Sequence, residues 1–211
     1  MIESNFKDWT ADSVDEAFGT KLNLKGLPSL EILTSYEYEI SEYEQRFLKD
    51  LSFSYRLGGQ SWNEVELENK IISPLIIFSS IDNEKFAYFL ERSLSATIDN
   101  YILSGRVDGM IASGFRNPKQ PYFCISEYKR ATDPNGDPEG QVLIAMLVAQ
   151  HLDANERPIF GCHIVGRQWV FASLEGKEYA FSKSYGVDDD EIFDIYRILK
   201  ALKWQIAQWL M

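Results

Sequence analysis

Glu127 and Lys129 stand two residues apart in the run Tyr122-Phe123-Cys124-Ile125-Ser126-Glu127-Tyr128-Lys129. Read as a strand, this run sends both side chains out of the same face of a sheet, and Phe123 and Ile125 share that parity. A charge among apolar neighbours is costly unless it is paired or holds a metal. Asp108 lies in an earlier β-rich run over residues 101–112, and a hairpin through residues 114–120 brings it alongside Glu127. Two converging carboxylates repel unless a divalent cation sits between them, and hard oxygen ligands of this kind suit Mg²⁺ or Mn²⁺. Plainer readings stand beside this one. Glu127 and Lys129 also fit an ion pair on a solvated face, worth under about 1 kcal/mol. Asp108-Gly109 also fits a turn, although Met110-Ile111-Ala112 carry the apolar run onward.

The elements around these residues follow from periodicity and breakers. Residues 1–28 are polar, end in Gly26 and Pro28, and read as a loosely structured entry segment. Residues 30–57 suggest a strand running into a helix. Ser61 has Glu64 three residues on, the spacing of a capping box. Leu67, Ile71 and Ile72 share a face of that helix, and Pro74 stops or kinks it. Leu90, Leu94, Ala96 and Ile98 share one parity, as in a half-buried strand. Residues 132–136 form a loop of turn residues, and a helix over 141–151 carries Val142, Ala145, Met146 and Ala149 on one stripe. Strands are expected over 158–165, 168–173 and 178–182, and a helix from about Asp190 to the end. The pattern predicts an α/β domain, α+β in its mixed central sheet, flanked by helices. Its parts are a core over 61–182, an N-terminal extension over 1–60 packed on it, and a C-terminal helix over 188–211.

Asp108, then Glu127-Tyr128-Lys129 after a hairpin-sized gap, preceded by a Glu-bearing helix and followed by a helix opening at Gln141, resembles the PD-(D/E)XK nuclease superfamily. The likeness covers roughly residues 60–172, and Val107 stands where the motif's name has Pro. The resemblance implies a restriction-endonuclease-like core and a metal-dependent nuclease acting on DNA rather than RNA. It implies Mg²⁺ or Mn²⁺ held by Asp108, Glu127, the backbone carbonyl of Tyr128 and a helix glutamate, Glu64 in preference to Glu68. Lys129 would orient or activate the attacking water and stabilise charge on the scissile phosphate, and Gln141 would fix the substrate backbone. A catalytically silent binding or regulatory module on the same fold is the alternative. A hydrolase using paired carboxylates without metal is a third.

Acids outnumber bases 32 to 21, a formal net charge of −11, which argues against a broad phosphate-binding surface. Some of those acids are the proposed ligands, however, and a bound cation would reverse the local sign. Arg106, Arg116, Lys119, Lys129, Arg130 and Arg167 are enough for a basic rim if they fold to one side. Much of the remaining acid clusters outside the proposed core, in 37–44 and 188–191, the latter read as charge at the start of the last helix. Cys124 and Cys162 make no framework and suit a reducing, cytoplasmic setting. His151 and His163 lack zinc-ligand spacing. No apolar run reaches the roughly 18 residues of a membrane span, and the last helix leaves a homodimer interface open.

Overall fold

The computed structural model describes residues 1–132, 136–153 and 156–210. Asp133, Pro134 and Asn135 of the expected turn lie outside them. The chain runs β1 (Ile2–Asn5), a 3-10 turn (Phe6–Asp8), α1 (Ala11–Phe18), β2 (Lys21–Leu22), α2 (Pro28–Thr34) and α3 (Glu42–Gly58). Then come α4 (Glu64–Leu67), a π-helical turn (Glu68–Ile72), α5 (Ser73–Ser79), β3 (Phe86–Ile98), β4 (Tyr101–Ser113) and β5 (Lys119–Lys129). The rest is α6 (Pro138–Asp153), β6 (Ile159–Val165), β7 (Gln168–Glu175), β8 (Glu178–Phe181), β9 (Tyr185–Gly186) and α7 (Ile192–Trp209).

The strands among the described residues form one mixed sheet, in the order β1-β4-β5-β6-β7-β8-β2, with β3 on β4 and β9 on β7. An apolar layer covers each face. One is built from α2, α3, α4, α5 and α7 against Ile111, Cys124, Tyr128, Phe160, Cys162 and Phe171. The other is built from α6, α1 and the N-terminal segment against Met110, Ile125, Ile159 and Ala172. Helix α6 is buried on every side from Gly140 to Ala149, which is why an apolar helix with little amphipathic contrast belongs there. A Cβ on Gly140 would run into the backbone of Trp9 and Thr10, so glycine lets the N-terminal segment cross the start of α6 closely.

Several expectations need correcting. Residues 1–28 are not a loose entry: β1 pairs parallel with β4 and β2 parallel with β8. Residues 30–57 hold two helices and no strand. The capping box belongs to Asn63 and Glu66, not Ser61 and Glu64: the Glu66 N–H donates to Asn63 Oδ1 at 2.9 Å, and Glu66 Oε2 accepts from the Asn63 N–H at 3.2 Å. Pro74 does not end the helix, because it falls in the first turn of α5, just after the π-helical turn. There its missing N–H costs little. Phe123 does not share the face of Ile125: a bulge in β5, where Ile111 pairs with Cys124 but Ala112 with Tyr122, turns it to the opposite layer. The parity of β3 also flips. Leu90 packs with the first layer while Leu94, Ala96 and Ile98 pack with the second, and between them Glu91 has φ +56.

Candidate functional site at a fork in the sheet

Strands β4 and β5 pair from Ser113 and Lys119 inward only as far as Gly109 opposite Ser126. Past that point β4 stays paired with β3, and β5 continues along β6 through Lys129. The two strands therefore part at Asp108 and Glu127, the next residues in register. Asp108 Oδ2 accepts the Tyr128 N–H at 2.6 Å, so a side chain takes the place of a ladder carbonyl where the ladder ends. The loss of pairing makes a fork whose prongs carry the carboxylates.

Gly109 is a packing requirement here rather than a turn signal. Strand β4 runs through it, and a Cβ there would collide with the hydroxyls of Tyr88 and Tyr128. These tyrosines fill the space on that side of Gly109, while the Asp108 carboxylate turns to the Tyr128 N–H in the gap between the strands.

Glu127 is 8% exposed, and its Oε1 accepts from Lys129 Nζ at 2.6 Å. Burial, then the charge of Glu127, pushes the Asp108 carboxyl up to about 7, with the Tyr128 N–H and Lys129 pulling the other way. Burial raises Glu127 too, partly offset by Lys129. Burial alone would lower Lys129, but the contact with Glu127 and the charges of Glu127, Asp108 and Glu64 hold it above the usual lysine value. Lys129 is thus a cation in this state, a donor and not a base. Neither Asp108 Oδ1 nor Glu127 Oε2 has a hydrogen-bond partner among the described residues. Two carboxylates that repel, Glu127 buried and Asp108 half-buried, each with an oxygen free of partners among the described residues, fit a divalent cation.

The remaining expected residues are placed less closely. Glu64 is exposed at the first position of α4 and reaches Glu127 and Lys129 through its field rather than by a bond. Glu68 begins the π-helical turn, and burial raises its carboxyl. Gln141 is 5% exposed, one turn into α6, which packs against β5 and β6. Ala11 N–H, from the segment crossing the start of that helix, donates to Asp137 Oδ2 at 3.0 Å. No group of three or more His, Cys, Asp or Glu side chains among the described residues surrounds one metal position. The expected basic rim is dispersed: Arg167 is bound to Asp188 and Arg106 to Glu91.

Two residues join the site that the sequence did not single out. Glu91 falls opposite Asp108 in the β3–β4 register, between the pairs Leu90–Gly109 and Arg92–Val107, and its charge raises both Asp108 and Glu127. His163 pairs with Glu127 across β5 and β6. Burial holds its imidazole down to about 4, so it is neutral, and its Nδ1 has no partner among the described residues. Glu91, Asp108, Glu127 and His163 thus form one polar row across four strands. The ring of His163 packs on Phe181, whereas Cys124 and Cys162 lie in the other layer, so no Cys–His pair forms. No helix among the described residues is long and apolar enough to cross a membrane. No protein-family model matches the chain, and a search of the curated proteins returns no relative.

Proposed function

We propose that the fork is the site of a metal-dependent phosphodiesterase hydrolysing DNA. The observation that carries this reading is the meeting of a buried and a half-buried carboxylate, mutually repelling, with one lysine at the point where the sheet opens. The order of elements around it, α4–α5, β3, β4, β5, α6 and β6, supports a restriction-endonuclease-like core over 61–182, with 1–60 and 188–211 as additions to it. Two buried free thiols suit a reducing cytoplasm.

Asp108 and Glu127 would hold Mg²⁺ or Mn²⁺ with the Tyr128 carbonyl, and Glu64 would add negative field from the helix. When bound, such an ion neutralises phosphate oxygens and lowers the pKa of a water. Lys129, as a cation, donates to a non-bridging phosphate oxygen and stabilises the charge that develops there. Gln141 fixes the substrate backbone from α6. The test is incubation of the purified protein with supercoiled, linear and single-stranded DNA in Mg²⁺ or Mn²⁺, beside Lys129→Ala. Cleavage by the wild type that the variant lacks is the expected result. No cleavage of any substrate, together with no Mn²⁺ binding by calorimetry, overturns the reading.

One observation favours a second reading, a catalytically silent binding module. Lys129 already neutralises Glu127, and no third carboxylate closes a metal shell among the described residues. Mn²⁺-independent ligand binding without cleavage is its signature.

A further inference from the structure

Beside the fork, on the outer edge of β3, lies an open groove of about 650 Å³ between that strand and α5, reaching the turn after β4. Among the described residues strand β3 pairs with β4 alone, so its outer edge is a template for another strand unless something blunts it. It is blunted. Asp82 Oδ1 accepts the Tyr88 N–H at 2.8 Å, and Asn83 Oδ1 accepts the Phe86 N–H at 3.2 Å. The left-handed backbone at Glu91 interrupts the edge further on. A β-strand from a partner is thereby disfavoured.

The groove offers a different chemistry. Its cations are Arg92 and Arg116, and Asp82, its acid, is already engaged by the backbone. Arg92 has a buried Nε without a partner among the described residues and lies over the Phe89 ring. Arg116 lies over Phe115, which is 68% exposed. In a chain of net charge −11, a groove with two guanidinium groups and an open aromatic face suits a ligand that alternates anions with flat apolar rings. A single strand of nucleic acid does this, because its bases are free to stack while its phosphates meet cations. A duplex hides its bases and presents only phosphates. Leu90 and Arg92 of the groove flank Glu91, the residue that falls opposite Asp108 in the β3–β4 register.

We propose that this groove binds a single-stranded DNA segment, with Phe115 as the stacking platform and Arg92 and Arg116 as the phosphate contacts. The proposal rests on the phosphodiesterase reading only for the choice of DNA and for what the strand is led towards.

The test is fluorescence anisotropy of the full chain in EDTA, so that neither metal nor cleavage enters. The probes are a labelled oligothymidylate of roughly ten nucleotides, the matching duplex and an oligouridylate. The wild type is expected to bind the thymidylate strand about ten-fold tighter than the duplex. Phe115→Ala is expected to lose about ten-fold of that affinity. Arg92→Ala with Arg116→Ala should lose at least as much and lower the salt slope by about 1.5. Lys25→Ala, in a separate groove, should change nothing, and unchanged melting curves certify the fold of every variant. Duplex bound as tightly as the single strand, groove variants that bind like the wild type, or uridylate bound more tightly each overturn the proposal. So does a self-association lost in Phe115→Ala without any nucleic-acid binding, which assigns the groove to a second copy. Groove-dependent binding without cleavage in Mg²⁺ or Mn²⁺ removes the phosphodiesterase and leaves the groove. Duplex cleavage unaffected by the groove variants does the reverse.

Discussion

Glu44 and Asp108 are both half-buried carboxylates, and the protein treats them in opposite ways. Glu44 lies between α3 and α7, where its oxygens accept from Tyr196 Oη at 2.7 Å, Tyr38 Oη at 2.9 Å, the Ser41 N–H at 2.9 Å and Ser41 Oγ at 2.8 Å. Lys200 Nζ stands 3.7 Å away, over the rings of Tyr38 and Tyr196. Burial would raise its carboxyl, but this ring of donors overcomes it and holds Glu44 down at about 2. Asp108 has one backbone donor and an unfriendly neighbour, and sits near 7. Full saturation marks a carboxylate that fastens helices. Under-saturation leaves a valence for something from outside.

The comparison breaks most sharply on activity. If the fork is the site, Asp108→Asn and Lys129→Ala should each lower Mn²⁺-dependent DNA cleavage by about 100-fold or more. Glu44→Ala should leave the rate per folded molecule unchanged. An equal fall in all three, measured at matched folded fraction, dissolves the distinction. Next in size is stability. Glu44→Ala strands Tyr38 and Lys200, leaves Tyr196 Oη only the Phe78 carbonyl at 3.3 Å, and should cost about 3 kcal/mol in urea unfolding, while Asp108→Asn keeps an acceptor for the Tyr128 N–H and should cost nothing.

The pH dependence sharpens the contrast further, because the two shifts have opposite sign. The folded value of Asp108, about 7, lies above its ordinary 3.8, so its ionisation costs nothing below that window, increasingly more through it, and the full amount above. Glu44, at about 2 against 4.5, gives its full stabilisation above the window and loses it as pH falls through it. In EDTA, Asp108→Asn should therefore melt higher than the wild type near about pH 8 and converge with it near about pH 4. The deficit of Glu44→Ala should shrink on acidification over the lower window. The smallest expected effect is with cation: Mn²⁺ in about hundred-fold excess over its Kd should stabilise the wild type by about 2.7 kcal/mol and leave Asp108→Asn where it was. Differential scanning fluorimetry across pH reads all of these.

The sequence made α6, β5 to β8 and α7 legible because each carries its own signal, an apolar run bounded by breakers. It also made the meeting of Asp108 with Glu127 legible, since the two flank one hairpin. It could not disclose β1 or β2. Ile2–Asn5 and Lys21–Leu22 are too short for any period, and become strands only because β4 and β8 offer them an edge about a hundred or more residues away. Phe123 was misplaced because a bulge adds a residue to one strand without leaving a mark in composition. Glu91 was overlooked for a related reason. Its place opposite Asp108 is set by hairpin register, and its left-handed backbone interrupts the parity by which β3 was read. His163 was read only for zinc-ligand spacing, whereas the parallel pairing of β5 with β6 sets it beside Glu127.

Gly109 and Asp108 are chain neighbours, yet different screens should expose them. Any replacement of Gly109 introduces a Cβ into space held by two tyrosine hydroxyls, so a library selected for folded protein alone should return this position unchanged. The same library should accept asparagine at Asp108 freely, and reject it only when cleavage is the selection. Two adjacent codons would then record separately what the sheet needs in order to close and what the fork needs in order to work.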